Sequence, residues 1–311
     1  MAAGNKPIVV VGSINIDLVS TTARLPKEGE TIEGTGFQIH PGGKGANQAV
    51  AAARLGYPVA MIGRLGDDTF GNDLRANLER EGVDASAVAT TPGSSGVANI
   101  LVAANGENCI VITAGANALV TTADIDANID LIRSAGIVLT QLEIPIATVE
   151  HLAEVCKREG VPLVLDPAPA ATLSPALLSS VEWFTPNETE AAFFVEHNGT
   201  TEPNETAQTL LNKNIRNVVL KMGPRGVFLA STDGLRDQVP SFPVQAVDTT
   251  AAGDAFNGAF ATAMMLGKSA RDSALFAAAA AALSVTRAGA QPSMPSRSEV
   301  EELLARSTSS N

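Results

Sequence analysis

Three short clusters carry the residue types from which phosphate chemistry can be built. Asp248-Thr249-Thr250-Ala251-Ala252-Gly253-Asp254 runs directly into an apolar, helix-patterned stretch. Small residues and a glycine let successive N–H groups turn into one concavity, and the positive end of a following helix strengthens its pull on an anion. A carboxylate at the rim, Asp254, can accept a proton from an attacking hydroxyl. The plainer alternative for a Gly-Asp before a helix is that the aspartate only caps it. Gly42-Gly43-Lys44-Gly45-Ala46-Asn47 opens a second helical pattern. Its glycines allow close backbone approach to a ligand, while Lys44 and Asn47 bring groups that can reach hydroxyls. The GxxxxGK[ST] spacing of a P-loop is absent. In Thr185-Pro186-Asn187-Glu188-Thr189-Glu190, Asn187 and Glu190 fall one helical turn apart. They share a face that suits orienting Mg²⁺-bound water beside phosphates, against the alternative of a capped helix with surface acids. Gly223-Pro224-Arg225-Gly226 by itself reads as a hairpin turn.

These clusters need a scaffold that brings them together, and the remaining sequence describes one. Short β-branched or apolar runs at Ile8–Val11, Val59–Ile62, Ile137–Gln141, Leu163–Asp166, Trp183–Thr185, Val218–Met222 and Val227–Ala230 alternate with helical patterns. The helical patterns are Ala46–Leu55, Phe70–Glu81, Asp124–Ser134, Ala147–Arg158 and Thr206–Asn212, with apolar residues at i, i+3, i+4. This alternation predicts an α/β fold, a mostly parallel sheet covered by helices. In such sheets the loops at the carboxyl ends of strands converge on a ligand crevice. Asn15 and Asp17, Glu143, Asp166, Asn187 and Glu190, and Met222–Gly226 all follow strand-like runs. Two segments break the rhythm. Leu18–His40 is rich in Thr, Gly and β-branched residues, and Gly96–Thr113 has Asn105-Gly106 between two strand-like runs, a strong hairpin signal. They predict antiparallel strands forming a second, small sheet over one edge. From Ala255 onward the pattern is helical, at Ala255–Leu266, Ala274–Val285 and Glu299–Ala305, before the polar Ser307–Asn311 tail.

The composition narrows the partners. With 33 Asp+Glu against 21 Lys+Arg among 311 residues, the net charge is −12, so nucleic acid and anionic membrane are expected to be repelled. The longest apolar run, Ala277–Val285, is far short of the ~20 residues a bilayer span requires. Cys109 and Cys156 stand too far apart for a CxxC site and are expected to pack in the core. Met1–Pro7 runs into Ile8–Val11 without the apolar stretch of a signal peptide, which predicts a cytoplasmic protein. The Asn-x-Ser/Thr sequons at Asn187, Asn198 and Asn204 then carry no meaning.

Taken in order, the Gly-Gly loop at residue 42, Asn187-x-x-Glu190 and Asp248–Asp254 resemble the phosphofructokinase-B group of sugar and nucleoside kinases over nearly the whole chain. Gly12-Ser13-Ile14-Asn15-x-Asp17, Gly42-Gly43-Lys44-Gly45-Ala46-Asn47-Gln48-Ala49 and Gly289-Ala290-Gln291-Pro292-Ser293 are similar to its ribose-phosphorylating members. The resemblance implies one doubly wound α/β unit spanning residues 1–311, with a small β lid from segments about 18–40 and 96–113 that pairs two subunits into a homodimer. It implies transfer of the γ-phosphoryl of Mg-ATP to the 5-hydroxyl of D-ribose. By that likeness Asn15, Asp17, Gly42, Gly43, Lys44, Asn47 and Glu143 hold the sugar, and Asp254 is the base. The amides of Ala252 and Gly253 steady the moving phosphoryl. Asn187, Lys221, Gly223, Gly226 and Gly253 border ATP, with Glu190 acting through the water shell of Mg²⁺. A K⁺ site is implied at Asp248, Thr250, Ser284, Arg287, Gly289 and Ser293.

Two positions depart from the pattern. Ala278 stands where some members carry an adenine-side histidine, and Lys221 stands where relatives carry a small polar residue, so that its charge reaches a phosphate or the solvent. None of His40, His151 and His197 is expected to be catalytic. Asp166, followed by Pro167-Ala168-Pro169, is expected to be a structural turn residue. Alternatives within the resemblance are a kinase for deoxyribose or fructose, or a catalytically silent sugar-binding regulator. Retention of both Asp254 and the Ala251-Ala252-Gly253 nest argues against the last.

Overall fold

The computed structural model describes residues 6–195 and 202–308. His197, the Asn198 sequon, Met1–Asn5 and the end of the tail, residues 309–311, lie outside them. The first strand, β1 (Ile8–Val11), is Ile-Val-Val-Val and buried at every position. Ile8 and Val10 enter one core while Val9 and Val11 enter another, the two-residue period of a strand covered on both faces. The chain then leaves the large sheet for β2 (Asn15–Thr22) and β3 (Gly34–Gly42). It returns through α1 (Lys44–Arg54), β4 (Val59–Gly66), α2 (Thr69–Arg80), β5 (Val83–Asp84) and β6 (Val88–Thr91). A second excursion adds β7 (Gly96–Ala103) and β8 (Asn108–Thr113), turning at Asn105-Gly106, where Gly106 has φ 86°.

The alternation resumes with α3 (Thr122–Ala127), α4 (Ile129–Ser134), β9 (Ile137–Thr140), α5 (Ile146–Glu159), β10 (Leu163–Leu165), α6 (Pro175–Leu178), β11 (Trp183–Phe184), α7 (Glu188–Val195) and α8 (Pro203–Leu211). A meander of β12 (Asn217–Lys221), β13 (Val227–Ser231) and β14 (Arg236–Val239) forms one edge. Three helices finish the chain, α9 (Ala252–Met265), α10 (Ala270–Ser284) and α11 (Arg297–Thr308). Among the described residues, ten strands form the large sheet in the order β14-β13-β12-β11-β10-β9-β1-β4-β5, with β6 beside β4, and four form the small one, β3-β2-β7-β8. Pairing is parallel from β5 to β12 and antiparallel at β12–β13 and β13–β14. The strand order reverses about β1, so the loops after β1 and β9 diverge and leave a crevice at their carboxyl ends.

Several expectations are corrected. The small sheet begins at Asn15 and ends its second strand at Gly42, so Asn15 and Asp17 lie on a strand of that sheet and not in a loop after β1. Its central pair, β2–β7, is parallel, with antiparallel β3 and β8 outside; β2 and β7 each follow a strand of the large sheet and leave it in the same direction. The pattern over Asp124–Ser134 is two helices, broken at Asn128. Cys156 is buried as expected, but Cys109 is exposed on the edge strand β8. Alternation had no purchase on the two-residue β5 or the polar β14.

Alanine and glycine decide how α1 and α9 meet. Ala46, Ala49 and Ala52 on α1 and Ala255 and Ala259 on α9 are buried, and a Cβ on Gly258 would stand 2.6 Å from the Gln48 carbonyl oxygen. Small side chains let the two helix axes approach closely, which sets their N-terminal turns side by side.

Candidate active site

That juxtaposition brings together the two clusters with the strongest chemistry. Asp254 occupies the first turn of α9, behind Ala251, which takes the left-handed conformation with φ 59° and itself precedes the helix. The capping alternative is therefore excluded: Asp254 is an inward-facing first-turn residue, 4% exposed. Its Oδ2 accepts from Asn47 Nδ2 at 3.0 Å and its Oδ1 from Gln48 Nε2 at 3.1 Å, both from α1. Gln48 Oε1 in turn accepts from Gln141 Nε2 at 2.7 Å, so the Gln48 amide is held with its NH₂ toward the carboxylates. The second N–H of that NH₂ bonds Asp166 Oδ2 at 3.0 Å. Asp166 is not a plain turn residue: it is 2% exposed and its Oδ1 accepts from Lys221 Nζ at 2.9 Å.

Above Asp254 lies the sugar-side group. Asn15 Oδ1 accepts from Asn117 Nδ2 at 2.7 Å, and the same Asn117 side chain bonds the Ile14 backbone, bracing the start of β2. Asp17 packs on Gly42, where a Cβ would lie 2.2 Å from its Oδ2. Gly43 ends this approach with φ 88° immediately before α1. Glu143 Oε2 accepts from Ser13 Oγ at 2.6 Å and from the Lys44 N–H at 3.2 Å, joining the loops after β1 and β9 to the start of α1. The charges are interdependent. Burial, reinforced by Glu143 and Asp254, pushes the Asp17 carboxyl up to about 7. Burial likewise holds Asp254 at about 6, with Lys44 pulling it down and Asp166 pushing it up. Burial alone would lower the Lys44 ammonium, but Asp254, Asp166, Glu143 and Glu190 outweigh it and keep the group charged, above its usual range.

On the other side of Asp254 a cleft of about 830 Å³ runs from Lys44, Asp166 and Gly253 past Asn187, Glu190, Lys221, Gly223 and Gly226 to an apolar end. That volume suits a nucleotide-sized ligand. The apolar end is built from Phe242, Pro243, Val244, Ala278, Ala281 and Val285 among others, so Ala278 lies in its wall. Asn187 and Glu190 bond reciprocally: Glu190 accepts from the Asn187 backbone N–H and Nδ2 at 2.8 and 2.9 Å, and Asn187 Oδ1 accepts from the Glu190 N–H at 2.8 Å. Burial raises the Glu190 carboxyl against the pull of Lys221; a divalent cation beside it would oppose that rise. No group of three or more His, Cys, Asp or Glu side chains that could hold a metal occurs among the described residues. A single carboxylate such as Glu190 beside a phosphate-sized cleft fits a Mg²⁺ ion that phosphates and water would mainly hold.

The loop before α9 is tied to the end of α10. Asp248 Oδ1 accepts from the Thr250 N–H at 2.9 Å and its Oδ2 from the Gly289 N–H at 2.8 Å, and the Val285 carbonyl accepts from the Val247 N–H at 2.7 Å. Burial would raise the Asp248 carboxyl, but these N–H groups and nearby His40 hold it low. One ionised carboxylate among backbone carbonyls suits a weakly hydrated monovalent cation. Ser284 and Ser293 are buried and spend their hydroxyls on the Ala281 and Ala290 carbonyls, and the Arg287 guanidinium turns to Glu299; any part these three take falls to their backbone. At the start of α9 the Ala252 N–H bends to the Thr249 carbonyl at 3.3 Å, whereas the amides of Gly253 and Asp254 belong to the turn that has no helical acceptor. His40 bonds Gln38 and His151 bonds Asp126, both away from Asp254.

Sequence reasoning missed Ser13, Gln48, Asn117 and Asp166. Gln48 had a signal, a polar side chain inside an otherwise alanine-rich helical stretch. Asp166 had only its place at a strand end, and its partners come from residues 118 positions before it and 55 after it.

Residues 5–297 match the family model described as pfkB family carbohydrate kinase. The chain is 43% identical to a ribokinase of Haemophilus influenzae over 302 residues, 96% of this chain and 98% of that one. It is 39% identical to a deoxyribokinase of Salmonella typhi over 306 residues, again covering 96% and 98%. Its fold is similar to that of Arabidopsis thaliana ribokinase complexed with ribose and ATP, with a TM-score of 0.90 at 39% identity, covering 96% of this chain and 98% of that one.

Proposed function

The chain belongs to the pfkB family of carbohydrate kinases, a sugar-phosphorylating phosphotransferase, and within it we propose that it is a ribokinase, moving the γ-phosphoryl of Mg-ATP to the 5-hydroxyl of D-ribose. The observation that carries this reading is the placement of Asp254. One buried carboxylate is bonded through Asn47 to helix α1, whose start carries sugar-side residues, and lines the nucleotide-sized cleft. The ribokinases among its relatives support ribose as the acceptor. In this reading Asn15, Asp17, Gly42, Gly43, Lys44, Asn47 and Glu143 hold the sugar, since carboxylates, amides and an ammonium satisfy hydroxyls that both donate and accept. Asp254 takes the proton of the 5-hydroxyl, and a carboxylate held at about 6 is a stronger base than an exposed one while still ionised at neutral pH. The Gly253 amide, helped by that of Ala252, meets the transferring phosphoryl. Asn187, Lys221, Gly223 and Gly226 border ATP, and Glu190 would order the water of Mg²⁺, which would supply charge neutralisation to the phosphates.

K⁺ bound by Asp248 and the carbonyls of Thr250, Ser284, Arg287 and Gly289, with Ser293 nearby, would stabilise the loop that shapes the nest. The small sheet acts as a lid and dimer clasp. Phe37, Ile39 and Val111 are exposed on one of its faces and Ile110 and Ile112 on the other, more apolar surface than a lone lid needs. Use of ATP as donor is compatible with the cytoplasm, where we take the enzyme to act. Separately, no helix among the described residues is long and apolar enough to cross a membrane. The test is ADP release from Mg-ATP with D-ribose in K⁺ buffer, with 2-deoxyribose, fructose and adenosine as parallel acceptors. The Salmonella relative makes 2-deoxyribose the second reading. Preferential turnover of that sugar would move the substrate and keep the mechanism. Ribose binding with no turnover of any acceptor would leave a silent binding protein.

A further inference from the structure

Lys221 and Asp166 form an ion pair inside the cleft, with side chains 12% and 3% exposed. A buried pair of this kind is weak evidence for stability, because desolvation offsets its attraction, so its placement asks for another reason. The geometry provides one. Lys221 ends β12, lines the nucleotide cleft, and carries its ammonium to within 3.4 Å of the position a Cβ would take on Gly253. The charge thus stands between Asp166 and the first-turn amides of α9. Asp166 is in turn joined to Asp254 by the single NH₂ of Gln48, at 3.0 and 3.1 Å. Reversing this amide would turn its oxygen toward both carboxylates and away from Gln141, so its NH₂ faces Asp166 and Asp254.

We infer that Lys221 contacts the transferred phosphoryl group, and that Asp166 and Gln48 are positioning residues that hold Lys221 beside the nest and couple its charge to Asp254. The inference rests on the kinase reading above. Asp166 aims the ammonium before the nucleotide arrives; as the triphosphate enters, Lys221 shares its N–H donors between Asp166 and the terminal phosphate. An ammonium has three donors and needs no rearrangement to do both. The same charge screens Asp166 from Asp254, so the charges of Lys221 and Asp166 act on the base in opposite directions. The other charged groups around Asp254 are Lys44 at the start of α1, Asp17 on β2, and, through Lys44 and Asp166, Glu143 and Glu190. None of them is altered by the substitutions below.

The test uses full-length Lys221→Met, Asp166→Asn, the double variant and Lys221→Arg. Calorimetry with Mg-ADP and the non-hydrolysable Mg-AMP-PNP isolates the terminal phosphate. Lys221→Met is expected to lose roughly 10–100-fold more affinity for AMP-PNP than for ADP, as for loss of a charge-assisted contact, and Lys221→Arg to recover most of it. The acid limb of the kcat/KM profile should move to higher pH in Lys221→Met and to lower pH in Asp166→Asn. It should return toward the parent in the double variant while kcat stays low. A merely structural pair would weaken both nucleotides alike and leave the limb in place, and either result overturns the inference. Ribose affinity by calorimetry establishes that each variant is folded, and Lys221→Arg retains the charge if Lys221→Met is not. If the parent enzyme turned over no sugar at all, the kinase reading would fail, while the AMP-PNP to ADP ratio would still decide whether Lys221 meets the terminal phosphate.

Discussion

Replacing Asp254 by asparagine should remove activity and make the protein more stable, and the two effects have one cause. Asp254 is fully enclosed, and its carboxyl is held at about 6 rather than its ordinary 3.8. The folded state therefore binds the proton more tightly than the unfolded chain. Stability falls as the pH rises from 3.8 to 6, and the whole penalty persists above that. At ~1.4 kcal/mol per pH unit this amounts to about 3 kcal/mol at pH 7.5. The neutral amide escapes it, and the surrounding donors can receive it. Its oxygen can accept from Gln48 Nε2, whose orientation is fixed by Gln141, and its NH₂ can face Asn47, whose Oδ1 is buried without a partner and becomes an acceptor if that amide turns over. Residual mismatch costs about 1 kcal/mol, leaving a gain of ~1–3 kcal/mol, or ~2–5 °C in melting temperature for a chain of this length. The gain should shrink to at most ~1 kcal/mol at pH 4.5, where the parent carboxyl is largely protonated. Turnover should fall by roughly 10²–10⁴. Thermal melts at pH 7.5 and 4.5, paired with a coupled ADP assay, read both effects. A lower melting temperature at pH 7.5, or a gain that does not change with pH, would refute the buried-charge argument; unchanged turnover would remove Asp254 as the base.

Three other substitutions probe the scaffold. At Gly43, with φ 88°, a Cβ would stand 2.6 Å from the Asn15 nitrogen and 2.9 Å from Ile14 Cα, so Gly43→Ala must displace the start of β2. Ribose affinity should fall at least about 10-fold with a stability loss of ~1–3 kcal/mol, and normal affinity by calorimetry would show that the β2 approach does not shape the sugar site. Gly258→Ala adds a methyl 2.6 Å from the Gln48 carbonyl and 2.7 Å from Ala51 Cβ. Overpacking should cost ~1–3 kcal/mol and lower kcat with the melting temperature; a melting loss with unchanged kcat would mean that the α1–α9 spacing does not govern Asp254. Val111→Lys, on an apolar face of the small sheet, should turn a dimer into a monomer in sedimentation, and a monomeric parent would dispose of the clasp.

Much of this architecture is written locally. β1 and β10 stand out because strands covered on both faces are near-continuous apolar runs, and the α helices because their stripes repeat at the helical period. The small sheet was legible as β structure from Asn105-Gly106 and its β-branched runs, but its parallel centre was not. Parallel pairing between β2 and β7 joins segments about 80 residues apart and leaves no turn between them to read. The exposure of Cys109 has the same origin: a small residue in a β-branched run looks buried unless it is known that nothing within the chain covers β8.

The site divides along the same line. Asp254, Lys44, Asn187 and Glu190 were legible because each sits in a short string whose glycines, prolines and helix start declare a local geometry. Asp166 was not, because its role is set by charge balance. Around Asp254 the carboxylates Asp17, Glu143, Asp166 and Glu190 meet the cations Lys44 and Lys221; burial is the main cause that lifts Asp17 and Asp254, and neighbouring carboxylates add to it, Glu143 and Asp254 at Asp17 and Asp166 at Asp254. Bringing phosphates into such a place requires fixed positive charge that does not ionise away. Lys44 meets that condition, as the surrounding acids keep it protonated, and the partial charges of two adjoining helix starts add to it. The alanine-rich composition of α1, α9 and α10, which in sequence looks like mere core filling, is what lets those starts lie side by side. Packing, in this protein, is therefore part of the electrostatics: bulkier helices would fill the core equally well, yet would separate the dipoles and lysines from the carboxylates that they balance.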